Sequence, residues 1–221
     1  PMSLPYLASP PESIPIDLGR QLFVDDFLVE QTTLKRTFHL AEYHPATPVL
    51  IPDKPWEQED GPTAMVFSDG VWWDPKDQLF KMWYMASYVK GTAYATSKDG
   101  LHWEKPELDV KPGTNLVHTV NRDSGTVWLD LEEKDPARRF KLFIYPWPED
   151  TGAINVYFSP DGIHWSDGVA RSGGTGDRTT VFYNPFRKVW VYGIRGGYGD
   201  LRRIRAAAVP GRSPGRYCLE P

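Results

Sequence analysis

A single cysteine, Cys218, stands in 221 residues, so no internal disulfide can form and thiol chemistry does not organise the fold. Long apolar runs are missing too: no stretch approaches the roughly 18 residues a membrane helix needs. The opening PMSLPYLASPPESIP lacks the basic-then-apolar pattern of a secretory signal. These features predict a soluble chain and leave secretion or a periplasmic location open. Charge of one sign is scarce, since 25 Lys and Arg face 29 Asp and Glu for a net charge of −4. That balance supplies no general field for nucleic acid or an anionic membrane. The histidines at 39, 44, 102, 118 and 164 have no metal-ligand spacing, and no HExxH, paired-cysteine or calcium-loop pattern occurs. No metal or other cofactor is expected.

Helix-breaking residues, by contrast, are plentiful. Twenty-one Pro and 19 Gly forbid long helices and exclude an all-α bundle. Aromatic residues make up 14% of the chain, nine of them Trp, which suits an all-β interior. Residues 1–15 carry five prolines and read as an extended lead-in, with the ordered domain predicted over 16–221. LFVDDFLVE (22–30) and LKRTFHL (34–40) both alternate and together predict an N-terminal hairpin.

Self-similarity carries more information. GVWWDPKDQLFKMWYMAS followed by TAYATSKDGLHWEKP matches TVWLDLEEKDPARRFKLFIY followed by INVYFSPDGIHWSDG. TVFYNPFRKVWVYGIR followed by RRIRAAAV makes a third, shorter copy. SKDGLHW and SPDGIHW agree at five of seven positions and begin 62 residues apart, at Ser97 and Ser159. Strand-turn-strand units of this length, none able to bury both faces alone, are what β-propeller blades require. The repeats span about 60–106, 120–168 and 177–209. Asp99 and Asp161 recur at the same outer turn, which marks them as scaffold, as Trp103 and Trp165 are. Trp56, Trp72, Trp73 and Trp128 are core candidates, whereas Trp147, among the prolines of YPWPED, is a loop-borne candidate for stacking on a ligand.

LFVDDFLVE, HPATPVLIPDKPWE, FKMWY, YATSKDGLHWEKP, DPARRFKLFIY, SPDGIHW and GDRTTVFYNP together resemble bacterial proteins of the five-bladed β-propeller glycosidase superfamily, which holds invertase, levansucrase, arabinanase and xylosidase-like enzymes. The resemblance is closest to invertase-like members and implies a glycan or glycoside substrate. It also implies carboxylates converging on a central funnel: a base or nucleophile from blade one, a modulating Asp from blade two and an acid from blade three. About three blades plus the N-terminal hairpin are present, and the ending RSPGRYCLEP looks interrupted. The missing blades are expected from the rest of a longer chain or from another subunit, with LFVDDFLVE in a closure blade.

Registering the copies on VWW, VWL and VFY puts Asp123 and Asp177 each four residues before the aligned Val. The first copy has Phe67 at that place, leaving Asp69 or Asp60 as the blade-one acid. Asp123 is then the modulator and Asp177 the general acid. Asp177 stands where better-known members have Glu, and the Asn-Asp-Pro-Asn motif of invertases is missing. Arg178, Arg195, His39 and His118 are candidates for substrate contact, set against blade-to-blade ion pairs and structural histidines. A glycoside hydrolase is the leading reading. The alternatives are a non-catalytic carbohydrate-binding propeller, whose acids serve only as turn residues, and a glycoside phosphorylase. The last is suggested by PVLIPDKPWE, which resembles the entry segment of mannoside phosphorylases and would give Arg178 and Arg195 to the anion.

Overall fold

The structure is a computed structural model. It describes residues 28–185 and 187–195, the backbone of 204–210, and the isolated residues Ser9, Glu12, Ser13, Asp25 and Asp26. The chain divides into two units, Pro1–Tyr43 and His44–Pro221. Within the first, the second half of the expected hairpin does not form: residues 34–40 are extended but join no ladder, and Leu34, Phe38 and Leu40 are exposed. Alternation makes a strand only where a partner and an apolar face are at hand. An ion pair from Arg36 to Asp26 at 2.6 Å holds this segment instead. Four of the nine residues of LFVDDFLVE and most of the lead-in lie outside the described residues.

Eleven strands among the described residues of the second unit form three antiparallel sheets. The first contains β1 (Ala64–Asp74), β2 (Leu79–Ala86), β3 (Thr92–Ser97) and β4 (Leu116–His118) in chain order. The second contains β5 (Arg122–Leu129), β6 (Phe140–Pro146), β7 (Asn155–Ser159) and β8 (Ala170–Arg171), again in chain order. The third contains β9 (Thr180–Asn184), β10 (Val189–Arg195) and β11 (Ile204–Pro210). The only helical elements among the described residues are two three-residue 3-10 turns, Pro55–Glu57 and Pro136–Arg138. None of the described helices is long and apolar enough to cross a membrane. Three strands of each sheet fall within about the bounds of one sequence repeat, β4 and β8 lie beyond them, and each first strand is an edge. The fourth strands β4 and β8 escape a sequence reading because three and two residues are too few to show alternation.

The first strands meet in succession, β1 against β5 and β5 against β9. Ser68 Oγ donates to the Gly125 carbonyl at 2.7 Å, and the Trp72 indole N–H donates to the Val127 carbonyl at 2.8 Å. Indole rings continue the contact: Trp72 lies 4.8 Å from Trp128 and Trp128 lies 5.8 Å from Trp190. Trp83, Tyr94, Val127, Leu142 and Ile144 fill the space between the first two sheets; Phe143, Tyr145, Val156, Val181 and Trp190 fill that between the second and third. The middle sheet is thus buried on both faces, which is why FKLFIYP runs without alternation and every residue of β6 is buried. Lys141 sits inside that strand because Asp130 at 3.0 Å and Glu133 at 3.1 Å neutralise it. Lys81, at the same place in the first sheet, is held by Asp74 and Asp77.

The segment 44–57 is tied to the first sheet by polar anchors. Glu57, fully buried, accepts from the Tyr84 hydroxyl at 2.7 Å and pairs with Lys105 at 2.8 Å. The Trp56 indole N–H donates to Asn115 Oδ1 at 2.9 Å.

The two SxDGxHW turns are copies in atomic detail. In each, the Ser Oγ accepts from the Gly N–H at 2.8 Å, one Asp oxygen accepts from the next two backbone N–H groups, and the other meets the His Nδ1 at 2.7 Å. Asp99 and Asp161 are therefore saturated by their own turns. What differs is the neighbourhood. The Gly162 carbonyl accepts from the Trp83 indole of the first sheet at 2.7 Å, and a Cβ on Gly162 would lie 2.4 Å from that ring. A Cβ on Gly100 would meet nothing nearer than 3.9 Å. Both glycines have positive φ. Gly100→Ala is expected to cost only the left-handed backbone, about 1–2 kcal/mol, while Gly162→Ala adds about 1–3 kcal/mol of overpacking against Trp83. Urea melts of the two variants measure the difference.

A second clamp joins the first two sheets at the other end of β1. Arg139 donates through both Nη groups to Asp74, at 2.8 and 2.5 Å, and Lys81 pairs with the same carboxylate at 2.8 Å. Burial alone raises the Asp74 pKa, yet the hydrogen bonds from Arg139 and Lys81 outweigh it and hold the carboxyl well below the usual range. The folded value lies under the unfolded one, so this stabilisation is complete above the ordinary value of 3.8 and is lost as pH falls below it. Asp74→Asn should lower the melting temperature at neutral pH and flatten the acid slope of a melting-temperature profile.

Candidate active site at the starts of the first strands

Two irregularities mark the first strands. On β1, Met65 pairs with Met85 and Gly70 with Trp83, so five steps on one strand face two on its partner, and 66–69 bulge out of the ladder. On β5, Arg122 pairs with Pro146 and Ser124 with Tyr145, leaving Asp123 as the extra residue of a one-residue bulge. Bulges re-aim side chains and are frequent beside active sites. The longer bulge explains why the first repeat fails to align in sequence: it puts Phe67 where an Asp was expected and carries Asp69 elsewhere.

Asp69 is fully buried between β1 and β5, with Arg122 Nη2 2.8 Å from its Oδ1. Arg122 is equally buried and its Nε donates to Thr92 Oγ1 at 2.8 Å. The approach of Nη2 to Oδ1 is close but poorly aligned, so neither carboxylate oxygen and neither Nη group has a well-formed hydrogen bond. Burial pushes the Asp69 pKa up to about 7 against the pull of Arg122. A carboxyl with no exposure does not touch a ligand as it stands.

The other acids lie at the N-terminal ends of the three first strands. Asp60 is in the loop four residues before β1, largely exposed and paired with Lys90 at 2.8 Å. Asp123 is the second residue of β5 and accepts at Oδ2 from the Arg178 backbone N–H at 3.1 Å. Asp177, three residues before β9, pairs with Arg195 at the end of β10. Arg178 has φ +56, and its guanidinium lies 6.0 Å from the Phe67 ring. Phe67 itself is about half exposed at φ +45, a left-handed conformation rare for an aromatic residue. The structure therefore brings Phe67, Asp123, Asp177, Arg178 and Arg195 together through these contacts, places Asp60 at the corresponding end of β1, and buries Asp69 between β1 and β5.

Trp147 is partly exposed beside β6, and its backbone N–H donates to the Asn121 carbonyl at 3.0 Å. It lines a cleft of about 430 Å³ with Asn121, Glu149, Asp150, Asn155 and Tyr157. His118, the last residue of β4, packs its ring 4.5 Å from that of Tyr157, and burial pushes its pKa down to about 4, with Arg122 adding to the shift. It is held neutral at physiological pH. His39 belongs to the first unit and is exposed there. Sequence reasoning missed Arg122 and Phe67. The visible signals were the Arg directly before Asp123 and the aromatic residue in the acid's register position.

No family model matches the chain. The sucrose-6-phosphate hydrolase of Escherichia coli is 23% identical over 179 residues, covering 72% of this chain and 32% of that protein. The chain thus spans about a third of the length of that curated relative. A fructofuranosidase from Schwanniomyces occidentalis, solved in complex with fructose, aligns with 61% of this chain and 32% of its own at 14% identity and a TM-score of 0.42.

Proposed function

We propose that this protein is a carbohydrate-active enzyme, a glycoside hydrolase, whose three sheets are blades of a β-propeller with β1, β5 and β9 innermost. The supporting observation is positional: Asp60, Asp123 and Asp177 stand at the same end of three first strands that touch in succession. Far-apart carboxylates meet in this way, as cleavage of a glycosidic bond requires. The likeness to a sucrose-6-phosphate hydrolase adds weight to this reading. In it, Asp177 protonates the leaving oxygen, Asp60 serves as base or nucleophile, and Asp123 orients the reacting groups. Asp69 acts at a distance: its ion pair fixes Arg122 and with it the bulge that presents Asp123.

Phosphorolysis asks more of the same groups, since it needs Arg195 for the anion as well as Asp177 for the acid, and the two are paired with each other. A panel of neutral glycosides and sugar phosphates, assayed for free reducing sugar with and without inorganic phosphate, tests the reading. Phosphate-independent release supports hydrolysis. Turnover only with phosphate, or none on any substrate, contradicts it.

A further inference from the structure

The cleft beside Trp147 has the composition of a carbohydrate subsite, and none of the acids of the proposed reaction lines it. Sugars present apolar C–H faces that stack on aromatic rings and equatorial hydroxyls that need both donors and acceptors. Trp147 and Tyr157 supply rings, while Asn121, Asn155, Glu149 and Asp150 supply donors and acceptors. Its volume of about 430 Å³ falls within the roughly 300–1,000 Å³ of small-molecule sites. The wall is held in shape: Arg171 Nη1 donates to Asp150 at 2.5 Å, and Asn155 donates to the same carboxylate at 3.2 Å. His118 stays neutral behind Tyr157 and brings no cation. With Arg171 answering Asp150, Glu149 leaves the lining net negative, which repels a phosphate group.

The position matters as much. Asn121 is two residues from Asp123, and a chain rises at most about 3.6 Å per residue, so their backbones lie within about 7 Å of each other. One wall of the cleft therefore lies within about one sugar unit of the Asp123 backbone. We infer that the Trp147 cleft binds an additional uncharged sugar unit, so that the substrate class is a neutral oligosaccharide rather than a sugar phosphate. The inference rests on the proposed function for its link to catalysis, but the binding it asserts does not.

Titration calorimetry on the whole protein with neutral fructo-oligosaccharides, xylo-oligosaccharides and arabino-oligosaccharides, each from disaccharide to pentasaccharide, and with sucrose 6-phosphate, tests it. One series is expected to gain affinity with each added unit until the cleft is filled. Trp147→Ala should then weaken the longer members about tenfold, the equivalent of about 1.4 kcal/mol, and leave the disaccharide unchanged. Asn121→Ala, at an exposed position, should reproduce the effect at smaller size and guards against a misfolded Trp variant. Affinity that does not depend on length in any series, or a length dependence that survives both variants, overturns the inference. So does tighter binding of the sugar phosphate. Length-dependent binding lost in Trp147→Ala, in a protein that turns over no glycoside, would uphold the subsite while removing the hydrolase reading; hydrolysis without any length dependence would do the reverse.

Discussion

Asp177→Asn is expected to lower kcat by about 10²–10⁴-fold, the range general acid catalysis supplies. The loss should shrink when the leaving group is an activated phenol, which departs without a proton, and the limb of the pH–rate profile that reports the acid should vanish. Asp60→Asn should be comparably damaging for every leaving group, since a base or nucleophile is needed whatever departs. Asp123→Asn should reduce kcat while retaining both limbs. Asp99→Asn is the control: its carboxylate is saturated by Leu101, His102 and Ser97 within its own turn, so folding stability changes and turnover per folded molecule does not. A set in which Asp99→Asn hurts turnover per folded molecule as much as Asp177→Asn would mean that the acids share a structural task and that Asp177 is not the general acid.

Arg122→Met is expected to destabilise the protein by about 3–5 kcal/mol, because removing one member of a buried ion pair strands the other. Asp69 and Arg122 both have zero exposure, so the carboxyl left behind must take up a proton and sits without a partner in a dry interior. The combined variant Asp69→Leu with Arg122→Met should recover much of that loss, since replacing both partners of a buried pair by apolar groups is often neutral. The pH dependence gives a sharper signature. In the native protein Asp69 holds its proton up to about 7, against an ordinary value of 3.8, so the folded state binds more protons than the unfolded one between those values. This group therefore favours unfolding progressively as pH rises through that window, with no further change above it. Without Arg122 the pull that lowers the Asp69 pKa is gone, and the decline should continue past neutrality. Urea midpoints measured against pH would show this. A flat profile in both proteins would mean that the pair is hydrated in solution.

The repeat was legible because it is encoded twice over, in aromatic strands and in the SxDGxHW turn, whose Ser and Asp satisfy the turn backbone with the same bonds each time. The three sheets follow from it. Strand alternation failed at residues 34–40, where a local pattern found no partner, and at β4 and β8, which are too short to have a pattern. In the candidate site, spacing singled out Asp123 and Asp177; the first is the second residue of β5 and the second lies three residues before β9. Asp60 and Asp69 could not be separated in sequence, because a bulge of several residues breaks the register between repeats and only coordinates reveal which acid it buries. Arg122 was hidden for a related reason: a lone Arg gains meaning only when a carboxylate from another sheet is found beside it.

The central claim is that acids from successive first strands share one cavity. The separation of the Asp60 and Asp177 carboxyl groups in a crystal of the protein with a bound neutral oligosaccharide tests it most directly. A separation of about 5–10 Å is expected, with a glycosidic oxygen between them and Asp123 alongside. Carboxyl groups on opposite faces of β5, or a sugar bound elsewhere while Asp177 stays closed on Arg195, would contradict it.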